Sequence, residues 1–153
     1  MRYTQSQIRD LLSISVDAFR VWRDAVPALT KHKGHAPTFT PGDVVALAIL
    51  AGLVTDFGLR VGVVGERLNR LFETCHGRSW LSLQSCIVII EVDAVRLVDA
   101  AGIKAETPTA SSICVPCAPI VARLQALLVA TEVEQSQGHL QFPPTAIATG
   151  ASR

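Results

Sequence analysis

The chain has 153 residues, 49% of them hydrophobic and 18% charged, with four cysteines and a formal net charge of +1. That length suits one compact domain, or a small domain with a modest second lobe, and the apolar content excludes a disordered chain. The longest apolar run, Val44 to Val54, is 11 residues long, too short to cross a bilayer. The polar start MRYTQSQIRD carries no apolar leader, so a cytoplasmic protein with no membrane association is expected.

Charge is unevenly distributed. Residues 1–80 hold ten Lys/Arg against seven Asp/Glu, whereas residues 81–153 hold four against six. Only the first half has an electrostatic reason to approach an anion.

Taken in chain order, the first elements are short helices. Thr4 followed three positions later by Gln7 is a capping-box pattern, and Ile8, Leu11 and Leu12 repeat at helical spacing, which predicts a helix over about 5–12. The segment Ser13-Ile14-Ser15 interrupts it. Ser15 can cap a second helix with Asp17 in its first turn, running to about Ala25 and stopped by Pro27. Two short helices joined by a turn with one apolar residue form a helix-turn-helix pattern. If Phe19, Trp22 and Val26 pack toward Ile8, Leu11 and Ile14, then Asp17, Arg20 and Arg23 are pushed toward the outside, where the arginines meet either water or phosphate.

After LTKHKGHAPTF comes TPGD, with Thr40 as N-cap, Pro41 at the first helical position and Asp43 three after the cap. The helix that follows, VVALAILAGLV, is apolar all round and is expected to be the central buried one, ended by Gly58. Val61, Val64, Leu68 and Leu71 mark a further amphipathic helix, with a loop, ETCHGRSW, after Phe72.

The stretches YTQSQIRDLLSISVDAFRVWRD, FTPGDVVALAIL and FGLRVGVVGERL together resemble the winged helix-turn-helix DNA-binding domain of MerR-like regulators, over residues 3–72. The resemblance implies a DNA-binding domain at 1–74 and a bacterial or phage-type transcriptional regulator that binds duplex DNA as a homodimer. Carried over position by position, Ser15, Asp17 and Ala18 match the groove-entering end of the recognition helix. Arg20 and Trp22 match positions that contact the DNA backbone or buttress such contacts. Lys31, Lys33 and His35 fall in the wing, which Phe39 closes; Thr4 and Arg23 complete the implied DNA-facing set. The chain departs from the family where Ser13 replaces a turn glycine, where Arg9 replaces a small residue, and where APTF brings no arginine just before Phe39.

The family's long coiled coil does not follow. CIVIIEV, Cys86 to Val92, reads as a strand buried on both faces. DAVRLVDAAG is ambiguous between strand and helix, TPTASS reads as a loop, and APIVARLQALLVATEV reads as an amphipathic helix with Pro119 near its start. A small α+β lobe is therefore expected at 81–134, with apolar surface in excess of its own needs and so a role in dimerisation. A flexible tail is expected over 135–153. The fold class expected for the whole is mainly α (α+β).

Cys114 and Cys117 form a CVPC motif at a helix start, where a low-pKa redox pair is one reading and two structural thiols the other. A metal site joining them to Cys75, His76 or Cys86 has the right ligand count, though its spacing matches no ordinary zinc pattern. His32, His35, His76 and His139 fall in predicted loops with no carboxylate partner nearby in sequence. Walker, Rossmann, HExxH and GxSxG patterns are absent, so neither an enzyme nor a cofactor is expected. Two other functions fit the same sequence: a protein-interaction module on a winged-helix scaffold, and a thiol- or metal-responsive regulator.

Overall fold

The computed structural model describes residues 1–32, 36, 38–102 and 111–137, with backbone alone over 131–137. The described residues form a mainly helical α+β fold, and among them no helix is long and apolar enough to cross a membrane. Helix α1 (Gln5–Leu12) starts with the full capping box: Thr4 Oγ1 accepts from Gln7 N, and the Gln7 side chain accepts from Thr4 N. Helix α2 (Val16–Ala25) is capped by Ser15, whose Oγ accepts from Ala18 N. Pro27 does more than stop α2, because its fixed φ starts a further short helix, α3 (Pro27–Thr30).

Helix α4 (Pro41–Thr55) is the central one. Gly42 through Leu50 and Leu53 are all buried, as its all-round apolar sequence requires. The helix ends at Thr55, and Gly58 serves the following turn at φ 66°. Helix α5 (Val61–Cys75) buries Val61, Leu68, Leu71, Phe72 and Cys75 along one stripe. It runs through the first part of the stretch expected to be a loop, because Cys75 continues that stripe inward. Helix α6 (Trp80–Gln84), capped by Ser79, occupies the end of the same stretch.

Strands β1 (Cys86–Ile90), β2 (Val95–Asp99) and β3 (Ile113–Pro116) make an antiparallel sheet in the order β2-β1-β3. The apolar run thus lies in the central strand, and the ambiguous segment is its hairpin partner, pairing Cys86 with Asp99 through Ile90 with Val95. Two arginines of α5 brace the hairpin turn: Arg67 Nε donates to Val92 O at 2.8 Å, and Arg70 donates to Asp93 O. Helix α7 (Cys117–Gln137) reaches past residue 135, into the segment expected to be a tail; residues 138–153 and most of TPTASS lie outside the described residues.

Buried side chains from both expected lobes share one hydrophobic cluster. Ile8, Phe19, Leu47 and Leu71 share it with Leu83, Val88, Ile90, Cys117, Val121 and Leu124. Much of the apolar surface of 81–134 that suggested a dimer contact is therefore used inside the chain.

One backbone approach fixes the middle of the fold. A Cβ placed on Gly42 would lie 1.8 Å from the carbonyl oxygen of Cys75, so the start of α4 touches the end of α5 backbone to backbone. Gly42→Ala is expected to lower stability by about 3 kcal/mol or fail to fold, because a backbone carbonyl cannot step aside as a side chain can. Gly52→Ala, whose nearest new contact is Asp56 Oδ2 at 3.6 Å, should instead gain about 0.5–1 kcal/mol of helix propensity. Urea denaturation of the two variants checks the opposite signs.

Candidate nucleic-acid interface

The turn between α1 and α2 sets the direction of α2. Ser13 takes a left-handed conformation, φ 54° and ψ 39°, where related turns favour glycine. The residue costs about 1 kcal/mol there, offset by the closing bonds Ile14 N to Arg9 O at 2.9 Å and Ser13 N to Asp10 O at 3.3 Å. Ile14 is buried under the turn. Arg9, the other departure in α1, lies partly buried, with its Nε enclosed and lacking a hydrogen-bond partner among the described residues.

Packing against Phe39 and α5 holds α2 onto the body. Phe19 meets Phe39 edge to face at 6.3 Å. A Cβ on Gly65 would lie 2.5 Å from Ala25 O, so α5 closes on the last turn of α2. Just beyond, Ala28 N donates to Asn69 Oδ1 at 2.7 Å. Phe19, Trp22 and Val26 face the core, while Val16, Asp17, Arg20, Val21 and Asp24 are exposed and Arg23 is half-buried.

The residues implied to face DNA thus divide. Trp22, at 6% exposure, is a core residue and leaves only the buttressing role open. The Thr4 and Ser15 hydroxyls and the Ala18 N–H are engaged in helix caps. Arg20 and Asp17 are both on the outer face, but paired: Nη2 of Arg20 donates to Asp17 Oδ1 at 2.9 Å, with side chains 64% and 82% exposed. Lys31 is exposed at the end of α3; Lys33 and His35 lie outside the described residues.

Next to Lys31 the chain returns to pair Phe39 with Tyr3 in an antiparallel bridge, with N···O distances of 2.9 and 3.1 Å. His32 is buried against this bridge, stacked on Phe39 at 4.0 Å, with Nδ1 2.9 Å from Thr38 Oγ1. Burial holds its imidazole below the ordinary pKa; nearby Asp43 opposes this, and His76, Lys31 and Arg2 add to it. Asp43 is buried at 1% exposure and accepts from Thr40 N, Thr40 Oγ1 and His76 Nδ1 at 2.7, 2.8 and 2.9 Å. His76, with no carboxylate partner expected nearby in sequence, finds one 33 positions away. Nothing in local sequence signals that pair, nor the stack of His32 on Phe39. Arg2, Lys31, His32, Thr38, Asp43, Phe72, Glu73 and His76 line an open cleft of about 500 Å³.

The thiols separate in a similar way. Cys75 and Cys117 are buried, and desolvation pushes them up to about 12 and about 11, while Cys114 of the same CVPC motif is exposed on β3. A thiol raised by burial is a poor nucleophile and metal ligand. Among the described residues no group of three His, Cys, Asp or Glu is placed to hold a metal ion.

Two outcomes follow from these positions. An aromatic disulfide reagent at neutral pH should label Cys114 in the native protein, and Cys75 and Cys117 only on unfolding, as read by mass spectrometry; fast native labelling of Cys117 would contradict its burial. For His32, the unfolded chain takes up a proton near 6.5 and the folded chain only at lower pH. Its contribution is therefore complete above 6.5 and is lost as pH falls from there toward the folded value. Urea denaturation at about pH 7.5 and about pH 5.5 should show a larger loss in wild type than in His32→Gln. An equal loss in both would contradict the shift.

No protein-family model, curated protein sequence or solved structure matches this chain.

Proposed function

We propose that the chain is a DNA-binding transcriptional regulator of MerR-like winged helix-turn-helix type, with α2 entering the major groove of duplex DNA. The observation that carries this reading is the division of α2 into two faces. Phe19 and Trp22 anchor one in the core; the other presents Val16, Asp17, Arg20 and Val21 to solvent directly after a tight turn from α1. A helix held this way offers its first two turns to base edges: arginine can donate to guanine, an apolar side chain can touch a thymine methyl, and a carboxylate can accept from cytosine N4. Lys31, exposed beyond α3, is assigned to a flanking phosphate. Binding as a homodimer is part of the proposal, with exposed Leu127 and Val129 of α7 as the apolar contribution.

Titration of folded variants on specific and random duplex at several salt concentrations tests this. Lys31→Ala should weaken binding about equally on all sequences and flatten the salt slope by roughly one unit. Arg20→Ala should cost about 1–3 kcal/mol on the specific site and relax base preference. Both variants binding like wild type would sink the groove assignment.

A second reading has its own support. The Asp17–Arg20 pair makes the centre of the outer face nearly neutral, and Val16 and Val21, 62% and 58% exposed, flank it. Such a face also suits a protein partner. Wild type that binds no duplex at low salt would select this reading.

A further inference from the structure

Two of the four thiols are set opposite each other by the sheet, and they are not the two of the CVPC motif. The register of β1 with β3 runs from Ile90 opposite Ile113 to Ile87 opposite Pro116, so its next step sets Cys86 opposite Cys117, where β3 passes into α7. The backbone of Cys86 is turned that way as well. Ser85 O accepts from Ala100 N on the β2 side, and alternation points the next residue toward β3. Opposite residues of an antiparallel pair are about 4.5–5.5 Å apart at Cα, inside the span of about 4.4–6.8 Å that a disulfide bridges.

Both side chains belong to the core side of the sheet. Val88 and Ile90, which share the face of Cys86 by strand alternation, lie in the common hydrophobic cluster, and so does Cys117. A charge on Cys86 is near enough to disfavour the thiolate of Cys117. Cys86 is half-buried and Cys117 buried, so a small reagent reaches the pair from the Cys86 side. In the reduced chain Cys86 Sγ donates to Ser82 O at 3.0 Å, a hydrogen bond that oxidation gives up. Cys114, opposite Ile89, alternates to the other face and is exposed, so the CVPC thiols diverge. Cys75, the last residue of α5, has no strand register with either member of the pair.

We propose that Cys86 and Cys117 are a reversible redox site, which a small-molecule disulfide converts to an intramolecular disulfide. Cys86 loses its proton to solvent and attacks one sulfur of the small disulfide. A bond forms from Cys86 Sγ to that sulfur, the small disulfide's own S–S bond breaks, and one small thiolate leaves. Cys117 then loses its proton and attacks Cys86 Sγ, expelling the second small thiolate. Both leaving groups take up protons, so two protein thiols are oxidised and one small disulfide is reduced to two thiols. Burial raises Cys117, so the second step is slow and outlasts the brief labelling expected of Cys114. The bond ties the first residue of β1 to the first residue of α7. It requires no duplex and stands independently of the groove assignment for α2.

The test uses the full chain carrying Cys114→Ser, which removes the exposed competing thiol. The reduced protein is held without denaturant in excess oxidised glutathione at about pH 8, where thiolates form. Samples are quenched in acid, free thiols are alkylated in urea, and peptides are mapped by mass spectrometry. The expected product has lost two hydrogens, carries no glutathione, links Cys86 to Cys117, and is reversed by dithiothreitol. Its urea midpoint should exceed that of the reduced chain, because the closed loop restricts the unfolded state. Adding Cys86→Ser should lower the yield of the bond at least about tenfold. Adding Cys117→Ala instead should leave Cys86 as a lasting mixed disulfide with glutathione. Four results overturn the site: a bond from Cys75 to either thiol, no reaction at Cys86, a lasting mixed disulfide at Cys86 while Cys117 is present, or a lower urea midpoint after oxidation.

Discussion

The buried carboxylate of Asp43 ties together parts of the chain that are far apart in sequence. It closes the capping box of α4 through Thr40, and it accepts a hydrogen bond from His76 at the end of α5. The Thr40 hydroxyl in turn accepts from Gly77 N at 3.2 Å, so both sides of the box reach the segment after α5. A carboxylate at 1% exposure is costly unless its lone pairs are satisfied. Here the partners that satisfy it also set how α4 meets α5. Gly42 permits that meeting, since any side chain there would overlap the carbonyl of Cys75. The central helix is thereby held at a fixed depth, and the rest of the fold is arranged around it.

Two surfaces depend on that arrangement. On one side, Phe39, immediately before Thr40, receives the edge of Phe19, which turns the inner face of α2 into the core and its outer face to solvent. On the other side, Phe39 carries the stacked ring of His32, and Asp43 orients His76, so the cleft takes its walls from the same residues that start α4. The electrostatics of the two surfaces differ. The outer face of α2 is locally compensated by the Asp17–Arg20 pair, exposed enough that solvent screens it and its contribution to stability is small. The cleft is lined by two cations, Arg2 and Lys31, and two carboxylates, Asp43 and Glu73.

The C-terminal half supports this body from behind. The sheet buries its central strand, with Val88 and Ile90 in the common cluster, and α7 inserts Cys117, Val121 and Leu124 into it. This explains why the CVPC pair is split in environment. Cys117 opens α7 and points into the core, while Cys114 lies on an edge strand and remains accessible. At Cys117 loss of water outweighs the backbone hydrogen bond from Val88 that favours the thiolate.

The sequence by itself determined the local elements. Capping boxes at Thr4 and Thr40, the Ser15 cap and the all-round apolar run after Pro41 placed α1, α2 and α4 closely, because each signal involves residues within one helical turn of each other. Apolar spacing also assigned Phe19 and Trp22 to the inside, which left Arg20 outside. Signals failed where tertiary structure outweighed local punctuation: α5 continued to Cys75, which is buried, and the DAVRLVDAAG segment became a strand through pairing with β1; α7 also continued past residue 135 to Gln137. The pairing of His76 with Asp43, the stacking of His32 on Phe39 and the gathering of Arg2 and Lys31 at one cleft were decided by the tertiary structure alone. Their physical reason is common: each joins side chains from different parts of the chain, and no periodicity within one segment encodes their proximity.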